Sequence, residues 1–165
     1  MTTRGINMNQ LREYVVTPVL KHLDPVIPYS LDAENLILGT IAQESHGSRY
    51  IHQLGAGPAV GMCQMEPNTH DDIWENYIKY NKALMEKIKV LELSGWYDEA
   101  NAKEMAGNNY YAVAMCRVHY RRKPQALPKH DDIAGMGAYW KKYYNTYLGA
   151  GTVEEFIENY NRFLK

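Results

Sequence analysis

Apolar side chains recur at helical spacing along most of the chain. A first stripe has one leucine or valine on each successive turn: Leu11, Val15, Val19 and Leu23. Pro18 lies inside this stripe and predicts either a kink or a fresh start capped by Thr17, because proline lacks the N–H that a helix interior needs. We therefore expect an N-terminal helix over about residues 7–23.

The next stripe predicts a helix over residues 31–45 with Ser30 as its N-cap. Its inward positions are Ile37, Leu38 and Ile41. From residue 46 to residue 60 the periodicity disappears, and several glycines indicate a shaped loop with room for a short hairpin. Irregular stretches of this length inside a domain are usually functional.

Longer stripes predict further helices in the second half of the chain. Thr69 and Asp72 form a capping arrangement for a long helix that Gly95 ends. Its apolar positions are Trp74, Tyr77, Ile78, Leu84, Ile88 and Leu91. Another helix runs from Asn108 to Lys123, and a third stripe contains Ile133, Met136, Trp140 and Tyr144.

Thr152 and Glu155 form a capping box for a C-terminal helix over about residues 152–164. Strand-like alternation is scarce, and no internal repeat or linker interrupts the chain. The pattern therefore predicts a mainly α fold with little or no β structure. We expect one domain over residues 1–165.

The charge balance argues against nucleic acid as a partner. Among 165 residues, 18 basic and 19 acidic side chains give a net charge of −1, without the basic face that phosphate backbones attract. No apolar run is long enough to span a bilayer, so we expect no membrane insertion. Polar residues break up the first thirty positions, and we expect synthesis in the cytoplasm without a signal peptide.

The cysteines and the aromatic residues each limit the interpretation. Cys63 and Cys116 are too few for a disulfide framework and lack metal-ligand spacing; they are either small buried hydrophobes or a single bridge. The chain has 14 Tyr and 3 Trp against 2 Phe. Rings with a polar edge suit a sugar-binding surface, and the alternative is that they cap a small core.

Glu44 is the main candidate for chemistry. It continues the apolar stripe of Ile37 and Ile41, where burial of an ionised carboxylate is costly, and it falls in the last turn of its helix, where the macrodipole disfavours negative charge. Both effects raise the pKa of a glutamate, so that it retains a proton for general-acid catalysis. The alternative is a glutamate that extends into solvent at a frayed helix end.

A second motif follows about twenty residues later, with the sequence GMCQMEPNT at positions 61–69. Together with the Glu44–Ser45 pair, it resembles the SLT-type lytic transglycosylases of glycoside hydrolase family 23, which are related to goose-type lysozyme. That family has a Glu-Ser pair at a helix end, a glycine-containing loop and a Gly-Leu-Met-Gln-x-x-Pro-x-Thr stretch. The matching positions in the later motif are Gly61, Gln64, Pro67 and Thr69.

A third family block, Ala-Tyr-Asn-Ala-Gly, is half present. Tyr144 and Asn145 match its centre, but Thr146 and Tyr147 stand where Ala-Gly is expected. The resemblance covers about residues 30–147, and the short chain looks like a phage-borne member. It implies a lysozyme-like domain that cleaves the β-1,4 bond between N-acetylmuramic acid and N-acetylglucosamine.

The resemblance implies Glu44 as the catalytic acid/base and Gln64 as a substrate contact. Tyr144 and Asn145 are further candidates for substrate binding. Ser45 is included as a candidate as well, because its hydroxyl either orients the Glu44 carboxyl or ends the helix. No cofactor is expected, since acid catalysis on sugars needs none. The partner is the glycan strand of peptidoglycan.

Two outcomes of the reaction stay open. A lytic transglycosylase closes a 1,6-anhydro ring with one carboxylate, whereas most hydrolases use two. The candidates for a second carboxylate are Glu66, Asp71 and Asp72. The alternative to an enzyme is a peptidoglycan-binding or virion structural protein on a lysozyme scaffold. Either release through a holin or packaging in a virion would bring the protein to the bacterial cell wall.

A metal site is a further possibility weighed from the sequence. The tetrapeptide His-Asp-Asp-Ile occurs at residues 70–73 and again at 130–133. Acidic residues near a helix start complement its dipole, which explains both copies without a metal. We therefore assign no metal ligands.

Overall fold

The computed structural model describes residues 5–93 and 100–165, and their architecture is mainly α. The helices are α1 (Met8–Leu11), α2 (Thr17–Leu23), α3 (Leu31–Ser45), α4 (Pro67–Asn76), α5 (Lys82–Lys89), α6 (Glu104–Gly107), α7 (Asn109–Arg121), α8 (Ile133–Trp140) and α9 (Val153–Leu164). A 3-10 turn covers Ile78–Tyr80. Within the described ranges there is no strand, and two antiparallel bridges join Val60 to His52 and to Met65.

The N-terminal segment is one helical rod with a wide turn in its middle. A π-helical stretch, Arg12–Val16, joins α1 to α2, and the N–H of Thr17 donates to the carbonyl of Arg12. Pro18 follows this wide turn and has no N–H to leave unpaired, so the helix continues without a new start. Thr17 is not a cap, contrary to one of the two predicted alternatives: its hydroxyl donates to Glu34 at 2.8 Å.

Helix α3 is the centre of the fold and has the predicted bounds. Ser30 caps it by accepting from the N–H of Ala33 at 3.1 Å. Leu36, Ile37, Leu38 and Ile41 are buried in the continuous core. The helix ends at Ser45; His46 is its C-cap and is left-handed at φ 51°, and the Gly47 N–H returns to the Ile41 carbonyl at 3.3 Å. This C-terminal motif turns the chain sharply into the loop after Glu44.

The C-terminal helix α9 packs directly on α3. A Cβ at Gly39 would lie 2.5 Å from Cζ of Phe156, so only glycine allows the two helices to approach this closely. The capping box of α9 is confirmed: Thr152 and Glu155 exchange hydrogen bonds of 2.8 and 3.2 Å. Residues outside the stretch of family resemblance are therefore integral to the core.

The predicted long helix that opens at Thr69 is wrong in its start and its continuity. Helix α4 begins at Pro67, whose fixed φ suits the first turn, and Asp72 hydrogen-bonds with Arg122 and Asn76 instead of capping. The helix ends at Asn76, and α5 starts separately with Asn81 as its cap. The expected stop at Gly95 lies outside the described residues.

The remaining helices lie close to their predicted positions. Asn108 caps α7 by accepting from Tyr111 N–H at 3.1 Å, and Asp132 caps α8 by accepting from Gly135 N–H at 2.8 Å. The predicted stripe through Trp140 and Tyr144 is not one regular helix, because a second π-helical stretch, Lys141–Asn145, follows α8. No helix in the described part of the chain is both long and apolar enough to cross a membrane.

Candidate active site

A cleft of about 550 Å³ opens at the C-terminal end of α3. One wall comes from the loop after α3 and the start of α4, and the other comes from α8 and the segment that follows it. The lining residues are Gln43, Glu44, Tyr50, Gln53, Leu54, Ala59, Gln64, Met65, Glu66, Thr69, His119, Trp140, Tyr144, Asn145, Thr146, Gly149, Ala150 and Gly151. Glu44, Gln64, Tyr144 and Asn145, all predicted from sequence, lie in this one depression.

Glu44 lies at the floor of the cleft and is partly buried. Its Oε1 accepts a hydrogen bond from Nε1 of Trp140 at 2.7 Å. Burial raises the pKa of Glu44 to about 7, and the Trp140 hydrogen bond opposes this rise. The expected rise in the pKa is thus confirmed, and the alternative of a fully solvated side chain is wrong.

The sequence predicted Trp140 only as an apolar position on a helix. In the structure, its indole N–H also donates to the Glu44 carboxyl. The side chain is fully buried and its ring packs on Phe156 at a centroid distance of 5.5 Å. A Cβ at Gly151 would lie 2.7 Å from the Trp140 ring, so the segment before α9 passes directly over the indole. The indole N–H therefore has one fixed direction, toward Glu44.

Gln64 belongs to a tight turn between Gly61 and Met65. Both Gly61 and Gln64 are left-handed, with φ of 79° and 48°. A Cβ at position 61 would lie 2.5 Å from the carbonyl oxygen of Met105, which requires glycine there. Nε2 of Gln64 donates to the Gly61 carbonyl at 2.9 Å. This bond fixes the amide in the cleft wall and leaves Oε1 to accept a hydrogen bond from a ligand.

Ser45 does not line the cleft. Its side chain is fully buried, and its hydroxyl donates to the Met62 carbonyl at 2.7 Å and accepts from the Ser48 N–H at 2.9 Å. None of the hydrogen bonds of this hydroxyl joins it to the Glu44 carboxyl, so the predicted alternative that it orients the carboxyl is wrong. Ser45 connects the end of α3 to the turn that holds Gln64, and so it sets the spacing between the two motifs.

Tyr144 and Asn145 reach the cleft from the wide turn after α8. The Tyr144 hydroxyl donates to the carbonyl of Cys63 at 2.6 Å, and Asn145 Oδ1 accepts from Lys141 at 2.7 Å. Tyr144 thus joins the two walls of the cleft behind Gln64. The neighbouring Cys63 is a buried free thiol, as is Cys116, so the alternative of a disulfide is wrong.

Several cleft residues escaped the sequence argument. Gln43, Gln53 and His119 line the cleft without belonging to the matched motifs. The Nδ1 atom of His119 is buried and has no hydrogen-bond partner within the described residues. Burial, together with Lys123 and Arg122, lowers the pKa of His119 to about 4, so the ring is neutral at neutral pH. No motif in the sequence marked His119 as a cleft residue.

Of the three candidates for a second carboxylate, one lines the cleft and two do not. Glu66 lines the cleft. Asp71 instead hydrogen-bonds to His70 at 2.9 Å, and Asp72 pairs with Arg122 at 2.7 Å. In the described portion of the chain, no group of three His, Cys, Asp or Glu side chains is placed to hold a metal ion.

Comparison with known proteins adds no relative to this picture. No protein-family model, curated protein or solved structure matches the chain.

Proposed function

We propose that the protein is a peptidoglycan-degrading glycosidase, a lytic transglycosylase or a muramidase, with Glu44 as its general acid/base. The observation that carries this proposal is the Glu44 carboxyl at the floor of an open cleft, with a pKa raised to about 7. About half of such carboxyls hold a proton at neutral pH, and the cleft exposes that proton to a ligand. General acids of glycosidases work under these conditions.

The hydrogen bond from Trp140 assigns different tasks to the two carboxyl oxygens. Oε1 accepts the indole N–H and is held in place. The proton is therefore carried by Oε2, which is free to donate it to the glycosidic oxygen of a bound strand. The oxygen bonded to Trp140 keeps the group oriented when the proton has left.

After bond cleavage, the acetamido carbonyl of the substrate supports the positive charge at the anomeric carbon. The ionised Glu44 then removes a proton from the muramic 6-hydroxyl and closes a 1,6-anhydro ring, or from a water molecule and gives a reducing end. Glu66 is the carboxylate that would assist hydrolysis, because it lines the same cleft. Asp71 and Asp72 are paired elsewhere.

We further propose that the helical fold is lysozyme-like. In support, a central helix ends in the catalytic carboxylate, a loop follows, and the Gly61–Gln64 turn returns beside it to form one cleft wall. We propose that the protein acts on the bacterial cell wall, as a component of phage lysis or of the virion. The ligand is the glycan strand of peptidoglycan.

Digestion of purified cell walls, followed by mass spectrometry of the muropeptides, tests the proposal. We expect anhydro or reducing muramic ends from the wild type and about a thousandfold less of either from Glu44→Gln, which keeps shape but cannot donate the proton. Glu158→Gln makes the same chemical change at an exposed position of α9 and should cleave normally. Walls left intact by folded wild type would overturn the proposed activity, and co-sedimentation of the protein with those walls would identify a binding protein.

A further inference from the structure

Gln43 precedes Glu44 and lines the same cleft, yet no motif points to it. The side chain is partly buried, and its Oε1 accepts a hydrogen bond from Nδ2 of Asn159 at 2.7 Å. Asn159 lies on α9, 116 positions further along the chain. A residue of the C-terminal helix thus fixes the direction of an amide beside the proposed acid.

This contact decides which end of the Gln43 amide faces a ligand. Because the carbonyl oxygen points to Asn159, the NH2 group lies on the other side, near Gly151. A Cβ at Gly151 would stand 3.2 Å from Gln43 Nε2, so glycine keeps space open at this point of the cleft. The hydrogen bonds within the described residues include none donated by this Nε2.

The surroundings favour a neutral acceptor as the partner of Nε2. No lysine or arginine lines the cleft in the described part of the chain, and the charged lining residues are Glu44 and Glu66. A glycan offers two kinds of neutral acceptor, hydroxyl oxygens and the carbonyl of an acetamido group. An amide carbonyl only accepts, and so it matches a fixed N–H donor better than a hydroxyl, which also donates.

We propose that Gln43, oriented by Asn159, donates through Nε2 to the acetamido carbonyl of a bound sugar and so selects N-acetylated glycans over plain hexose polymers. This inference rests on the proposed function, since it names how the same cleft recognises its ligand. Gln43 binds substrate directly, and Asn159 is a positioning residue that acts through it.

The test measures binding by calorimetry in the full chain with Glu44→Gln, which prevents cleavage. The ligands are the β-1,4 hexamer of N-acetylglucosamine and the matching hexamer of glucose. The decisive added change is Asn159→Asp, because a carboxylate only accepts, so that Gln43 turns its NH2 to position 159 and presents its oxygen to the cleft. Asn161→Asp adds the same charge at an exposed position of α9 and is the control.

We expect Asn159→Asp to bind the N-acetylated hexamer about tenfold more weakly and the glucose hexamer unchanged, while Asn161→Asp alters neither. Gln43→Met removes the donor without adding charge and should weaken binding of the N-acetylated hexamer to a similar extent. This variant keeps the test valid if Asn159→Asp does not fold. Unchanged preference for the N-acetylated hexamer in both variants overturns the inference alone. A parent that binds neither hexamer overturns the proposed function as well.

Discussion

Each end of α3 carries a glutamate, buried at Glu34 and partly buried at Glu44, and the two carboxyls have different surroundings. Glu34, in the first turn, is 3% exposed and accepts hydrogen bonds from Arg12, from the Thr17 hydroxyl at 2.8 Å and from the Tyr29 hydroxyl at 2.9 Å. Glu44, in the last turn, has the Trp140 N–H as its side-chain donor. One carboxyl has a cationic partner, and the other has a neutral one.

The two carboxyls also differ in the charges that act on them. The macrodipole of α3 favours negative charge at Glu34 and disfavours it at Glu44. The Arg12 contact makes Glu34 a structural ion pair that joins α3 to the N-terminal rod. Among the residues that the structure describes, no cation pairs with Glu44, and its pKa rises to about 7. The partner of each carboxyl distinguishes the ion-paired Glu34 from Glu44, the proposed acid.

The largest effects are expected when the glutamate at either end of α3 is replaced by glutamine. Glu44→Gln should lower cell-wall lysis about thousandfold with the fold intact, because the proton donor is lost. Glu34→Gln should lower the free energy of unfolding by about 3 kcal/mol, because Arg12 loses its buried counter-charge, while the folded fraction still lyses walls. Urea unfolding and turbidity assays measure both. Equal loss of lysis in two folded variants would contradict the distinction.

The pH dependence of stability gives a second test that needs no substrate. The folded-state pKa of Glu44, about 7, lies above its ordinary value of 4.5. Its contribution to stability is therefore present below pH 4.5 and is lost as the pH rises through 7. Relative to Glu44→Gln, the wild type should lose on the order of 2 kcal/mol of unfolding free energy between about pH 4 and about pH 8, after allowance for partial exposure. A constant difference would refute the raised pKa.

The donor to Glu44 can be removed alone with Trp140→Phe. The hydrogen bond stabilises the ionised carboxyl, so its loss should raise the pKa of Glu44 further and move the alkaline limb of the lysis profile upward by less than about one pH unit. Lysis at neutral pH should fall by about tenfold as the carboxyl loses its orientation. Trp74→Phe deletes another indole hydrogen bond, to Tyr111 at 2.8 Å outside the cleft, and should leave the profile in place.

The smallest expected effect concerns the second motif. Gln64→Ala removes an amide from the cleft wall and should reduce turnover about fivefold, since one neutral hydrogen bond to substrate is lost. Gln125→Ala, at an exposed site, is the matched control. Lysis rates of purified walls measure both. Equal rates would assign Gln64 to the turn alone.

Local chemistry made much of the fold predictable. Ser30 and the Thr152–Glu155 pair cap helices within three residues of themselves, so that the sequence displays both partners. The position of Glu44 on the apolar face of its helix predicted its raised pKa in the same way. The predicted helix start at Thr69 was wrong because Pro67 begins the helix two residues earlier.

Contacts between distant parts of the chain could not be read in this way. Trp140 lies 96 positions from Glu44, and Asn159 lies 116 positions from Gln43. Neither pair has a spacing that marks it, since both result from packing α8 and α9 on α3. The sequence therefore predicted Glu44 as a candidate acid but not the residues that orient its carboxyl and the neighbouring Gln43 amide.

The wide turn at Lys141–Asn145 has one more consequence. Such a turn arises when a regular helix takes up an additional residue, and each residue rotates everything beyond it by about 100°. Tyr144 and Asn145 therefore face the cleft because of how many residues precede them as well as which ones they are. Deleting one residue before Tyr144 would turn its ring out of the cleft wall although the ring itself is retained, so a change in segment length alone would reshape the cleft.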